Sequence, residues 1–113
     1  MNARAKGLIY RNEVRHILED NGYQVYTPPP RPKWIGSKQI LVHDDIFGYG
    51  DLLTLKDGQL LMHQVTTLDN KASHANKIGD APCWLWCRLK GKKRYRVFLN
   101  GMEVMAMAIG DYE

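Results

Sequence analysis

YGDLLTLKDGQLLMHQVTT, residues 49–67, is the stretch whose reading decides the fold. An Asp-Gly dipeptide between two strand-like runs favours a two-residue type I′ turn. With Asp57-Gly58 as that turn, cross-strand partners carry numbers summing to 115, so Asp51 falls opposite Gln64 and Tyr49 opposite Thr66. Leu53 with Met62 and Leu55 with Leu60 share the same face, which is apolar except where Asp51 and Gln64 interrupt it. Opposed residues hold their Cβ atoms ~5 Å apart, close enough for a carboxylate and an amide oxygen to share a hard cation. The plainer alternative is a solvated strand end where Gln64 hydrogen-bonds Asp51. An ionised carboxylate beside an apolar face loses hydration unless it is paired or metal-bound. A one-residue slip would send one of the two side chains to the other face.

Upstream, residues 5–20 have the spacing of an amphipathic helix, with Tyr10, Val14, Ile17 and Leu18 on one stripe and Asn21-Gly22 as the stop. Glu13 lies on or beside that stripe, either reaching to water or serving chemistry. Tyr23 to Tyr26 is a short strand candidate. Pro28-Pro29-Pro30-Arg31-Pro32 reads as an extended loop without regular structure. Trp34 after it is either an anchor pinning the loop or, with Lys33 and Lys38, a place where a nucleic-acid strand stacks. Gln39 to His43 is a further possible strand.

Downstream, Asp69 to Ile78 suits a short helix capped by Asp69 or Asn70 and ended by Gly79. Lys71 falls at the edge of its small-residue face and Lys77 nearly opposite. Strands follow at Trp84 to Leu89, Arg94 to Leu99 and Met102 to Met107, the last two joined by Asn100-Gly101. The order of helices and strands predicts an α/β layer fold. Cys83 and Cys87 sit on one face of a strand roughly 13 Å apart, too far for a disulfide and too few for structural zinc. With Leu85 they read as core residues in a reducing compartment.

At 113 residues, 44% hydrophobic and 25% charged, the chain has the make-up of a single globular domain, 1–113. No run approaches the ~20 apolar residues of a membrane span, and Met1 to Lys6 is not followed by a secretory signal, so a cytoplasmic location without membrane attachment is expected. A net charge of +4 favours polyanionic partners. Arg88, Lys90, Lys92, Lys93, Arg94 and Arg96 crowd one hairpin end. They read as a phosphate-binding ridge or as charges that protect an edge strand.

A helix carrying Glu13, a strand bearing Asp51, a tight hairpin, Gln64-Val65-Thr66 and a helix with lysines together resemble the core of the PD-(D/E)XK nucleases. Residues 6–78 look most like the small archaeal-type Holliday junction resolvases, with 84–108 supplying C-terminal strands. The resemblance implies a restriction-endonuclease-like mixed β-sheet flanked by helices. It makes Asp51 the metal-binding aspartate, Gln64 the occupant of the acidic or glutamine position, Val65 a carbonyl ligand and Glu13 the first-helix acid. Thr66 stands where the family's lysine is expected, so Lys71 or Lys77 would have to replace it. Gly50 stands where proline is common. The implied activity is a Mg²⁺-dependent (or Mn²⁺-dependent) DNA endonuclease, resolvase-like and homodimeric. The rival is a catalytically silent module that binds nucleic acid or a protein partner. Lys33, Trp34, Lys38, Lys90, Lys92, Lys93 and Arg94 are the expected DNA contacts.

Overall fold

The computed structural model describes residues 3–91 and 94–108. Helix α1 (Ala3–Asp20) leads into β1 (Gln24–Tyr26), a hairpin of β2 (Arg31–Ile35) and β3 (Lys38–Val42), and then β4 (Leu52–Lys56) and β5 (Gln59–Thr67). A 3₁₀ turn over Leu68–Asn70 runs into α2 (Lys71–Ile78), followed by β6 (Cys83–Arg88), β7 (Arg94–Leu99) and β8 (Met102–Ala108). Six strands form one mixed sheet in the order β1-β4-β5-β6-β7-β8. The chain is thus of the α/β class, as expected. Among the described strands only β5 and β6 run parallel, because α2 and its flanking turns supply the crossover that a parallel pair requires.

The sheet buries one helix on each face. On one side Val14, Ile17 and Leu18 of α1 pack on Leu52, Val65, Trp86, Tyr95 and Val97. On the other, Leu68 and Ile78 cover Leu85, Cys87 and Phe98. Alternation along β6 explains the division, since Trp86 points one way and Leu85 and Cys87 the other. Both cysteines are free and buried, the expected core role. Burial pushes their thiols up, to about 12 for Cys83 and about 11 for Cys87, which leaves them unreactive. α1 stops as its sequence predicts: Asn21 Nδ2 donates to the Ile17 carbonyl at 2.7 Å, and Gly22 takes φ 88°.

The central hairpin keeps the predicted register from Leu52↔His63 to Lys56↔Gln59. Asp57 and Gly58 have φ of 53° and 78°, the two left-handed conformations that a type I′ turn needs. The ladder ends one residue short of Asp51. Ile46 and Gly50 bridge each other across a turn in which Phe47 and Gly48 take positive φ. This bend delivers Asp51 with its N–H on the His63 carbonyl at 2.8 Å instead of squarely across from Gln64. The expected Tyr49 and Thr66 pair is not made, because Tyr49 belongs to that turn and donates to the Ile46 carbonyl.

A second correction concerns residues 31–42. The run from Arg31 to Ile35, read as part of an irregular proline loop, is a strand that pairs with the strand expected near Gln39 to His43, Arg31↔Val42 to Ile35↔Lys38. Pro32 is tolerated because a two-stranded ribbon has a free edge where no N–H is needed.

Candidate active-site cleft

Beyond the start of β4, the edge of β5 is uncovered, and a cleft of ≈ 290 Å³ opens there. Gly7, Leu8 and Arg11 of α1, Val42, His43 and Asp45 of the preceding segment, Asp51, Gln64 and Val65, and His74 and Lys77 of α2 line it. The hairpin supplies Asp51 and Gln64 from adjacent strand segments, so both line the cleft although the register that would set them opposite each other is not made. Asp51 Oδ2 accepts the Val65 N–H at 2.9 Å. In an extended strand the N–H and C=O of one residue face the same edge, so the Val65 carbonyl is turned toward this side as well.

Burial pushes the Asp51 carboxyl up to about 6, against the lowering effect of its bond to Val65. Gln64 is 1% exposed, yet its Oε1 has no hydrogen-bond partner. Among the described residues, three buried side-chain atoms lack partners: Arg11 Nε, Gln64 Oε1 and His74 Nδ1. All three residues line this cleft. Each unsatisfied buried group costs about 1–3 kcal/mol, and such groups are few in native proteins. All three converge in one cleft, where water, an ion or a ligand would satisfy them.

The remaining predicted site residues separate. Lys77 reaches the cleft and pairs with Asp45 at 2.6 Å. Lys71 does not, because its Nζ lies 3.8 Å from the centre of the Phe98 ring on the face covered by α2. Glu13 leaves the other flank of α1, where Oε1 accepts from Tyr95 Oη at 2.5 Å and from Arg88 Nε at 3.0 Å. Arg11, His43, Asp45 and His74 join the cleft unannounced by sequence. Arg11 Nη2 and His43 Nδ1 lie 3.3 Å apart, and burial lowers the His74 imidazole below its usual range, with Lys77 adding to the effect.

No family model, curated protein or solved structure matches this chain.

The proposed DNA contacts are dispersed. The register puts Lys33 and Lys38 on one face of the small hairpin and Trp34 on the other, 63% exposed, so the three do not form one grip and Trp34 is not a buried anchor. In the basic segment, Arg88 folds inward onto Glu13 and Arg96 is held by Glu103 at 2.9 Å. Lys90 and Arg94 stay exposed, and Lys92 and Lys93 lie outside the described residues. Among the described residues no three His, Cys, Asp or Glu side chains gather as a metal site. A cation here would therefore rest on one carboxylate, the Gln64 amide oxygen, the Val65 carbonyl and water. That donor set suits magnesium, which takes oxygen ligands at about 2.1 Å and keeps several waters.

Proposed function

We propose that this protein is a Mg²⁺-dependent DNA endonuclease with a restriction-endonuclease-like fold, resolvase-like in preferring branched DNA and acting as a homodimer. The observation that carries the reading is the cleft itself, lined by Asp51, Gln64, Val65 and Lys77, where Gln64 Oε1, Arg11 Nε and His74 Nδ1 are buried without partners. The element order that suggested the nucleases is kept, from α1 through the β4–β5 hairpin to α2 and a parallel β6. When bound, magnesium lowers the pKa of its water and offsets charge on the scissile phosphate. Asp51 and Gln64 would hold it, with the Val65 carbonyl as third ligand. Lys77, once released from Asp45, brings positive charge to the phosphate, the role Thr66 cannot fill. His74, whose imidazole burial lowers below its usual range, has an unpartnered ring nitrogen in the cleft and is the candidate proton acceptor there.

The competing reading, a silent nuclease-like binding module, draws on the engagement of Lys71 with Phe98 and of Glu13 with Arg88, both away from the cleft. Labelled duplex, single-stranded and four-way-junction DNA incubated with protein and Mg²⁺ or Mn²⁺ separates the two. Cleavage lost in Asp51→Ala supports the enzyme. Retention without cleavage, in either metal, supports the module.

A further inference from the structure

A second cleft of ≈ 330 Å³ opens on the opposite flank of α1, lined by Lys6, Tyr10, Thr67, Asp69, Arg88 and Lys90 among others. It stands at the carboxyl ends of the parallel pair, where Thr67 and Arg88 are register partners and the last residues of β5 and β6. Open α/β sheets bind ligands at such ends. The Arg88 guanidinium is already oriented. Its Nε is bonded to Glu13, whose carboxylate is fixed in turn by Tyr95, and its Cζ lies 4.4 Å from the centre of the Tyr10 ring. A guanidinium held in this way loses little freedom on meeting an oxyanion. Lys6 and Lys90 have no ion-pair partner among the described residues. Thr67 Oγ1 accepts from Asn70 Nδ2 at 3.1 Å, which leaves its own proton for a ligand. Asp69, an exposed carboxylate, is the opposing charge in the lining.

We infer that this cleft binds one phosphate of a DNA strand, with Arg88 as the oriented donor, Lys6 and Lys90 as flanking cations and Thr67 as hydroxyl donor. The assignment to DNA rests on the nuclease reading. The two clefts flank the same turns of α1, with Gly7, Leu8 and Arg11 on one side and Lys6 and Tyr10 on the other. A helix with its side chains is about 10 Å across, so separate phosphates of one strand, and not a single small anion, can occupy both. Arg88 is then a binding residue that Glu13 positions.

The test is fluorescence anisotropy with a short labelled duplex in EDTA across a salt series, comparing the full chain with the double variant Lys6→Gln, Lys90→Gln. Both lysines are exposed, so the fold survives their loss. Loss of one neutralised phosphate lowers the salt slope of log K by about 0.9 and weakens binding roughly ten-fold at low salt. Unchanged affinity and slope in the double variant overturn the proposal. Inorganic phosphate is added as a competitor: displacement of DNA at millimolar phosphate in the wild type but not in the double variant makes the ligand a free phosphate and overturns the strand assignment. A reduced slope in the double variant, with no cleavage by wild type in Mg²⁺, removes the nuclease reading and keeps the phosphate cleft.

Discussion

Asp51 and His63 are both pulled from their ordinary titration ranges by burial, in directions that oppose each other in their effect on stability. With its carboxyl raised from 3.8 to about 6, Asp51 binds more protons in the folded chain than in the unfolded one. Its contribution is present below pH 3.8 and is lost as pH rises through about 6. Asp51→Asn should therefore stabilise the fold at pH 7 by about 2–3 kcal/mol, show no gain near pH 3.5 in urea titrations, and abolish cleavage. A stability cost retained at one carboxylate is what a functional site incurs and a structural one sheds. His63 is the opposite case. Trp86 Nε1 donates to its Nδ1 at 3.0 Å, which fixes the proton on Nε2 for Thr54 Oγ1 at 2.8 Å, and Thr54 passes a bond on to the Leu61 carbonyl at 3.3 Å. Burial lowers this imidazole to about 3. Its contribution is complete above pH 6.5 and is lost as pH falls toward 3, amounting to roughly 5 kcal/mol. His63→Phe removes that acid sensitivity and costs about 2 kcal/mol or more at pH 7, because the Trp86 N–H and Thr54 lose their partner. Chemical denaturation at several pH values measures both changes. For His74→Ala, a 10²-fold or greater loss of turnover in single-turnover cleavage is expected if its ring takes the proton.

At the scale of elements, the β4–β5 hairpin was legible because two residues forced into positive φ leave little choice of turn, and the alternation around Asp57-Gly58 then fixes every partner. The end of the ladder was not legible. It depends on the bend at Phe47 and Gly48 and on Gly50, whose added Cβ would stand 2.1 Å from Met62 Sδ and 2.7 Å from Met62 Cγ. Gly50 also donates its N–H to the Ile46 carbonyl at 2.9 Å. Proline at this position would lose that bond and drive into Met62. Gly50→Pro is thus expected to destabilise by about 2–4 kcal/mol in urea melts, and Gly50→Ala by less, since the end of the Met62 side chain can move. β2 and its pairing with β3 escaped the reading for a different reason. Its residues are almost all exposed, so no buried face imposes an alternation for sequence analysis to detect. Likewise α1 announced its apolar stripe but not which flank would carry Glu13, since that is decided by where Arg88 and Tyr95 lie across the sheet.

For the molecule as a whole, the α/β class and the hairpin register from Leu52↔His63 to Lys56↔Gln59 were readable because they arise from local turns and periodicity. The membership of the cleft was not, because Arg11, His43, Asp45 and His74 come together only after both helices have settled on the sheet. No helix among the described residues is long and apolar enough to cross a membrane. The stability of the chain is unevenly spread. The hairpin of residues 31–42 stands outside the six-stranded sheet, held in part by the exposed Arg31–Asp44 pair at 2.6 Å. Two isolated strands are marginal on their own, so its amides should exchange with solvent well before those of β5 and β6, whose exchange follows global unfolding. Hydrogen-exchange mass spectrometry resolves the two classes. The lone parallel seam between β5 and β6 has a kinetic consequence. On one side lies the β4–β5 hairpin and on the other β6, carried on the β7–β8 hairpin, and such hairpins assemble in about 1–10 μs. The seam must wait until the intervening chain closes its loop, which makes docking β6 onto β5 the slow act of folding.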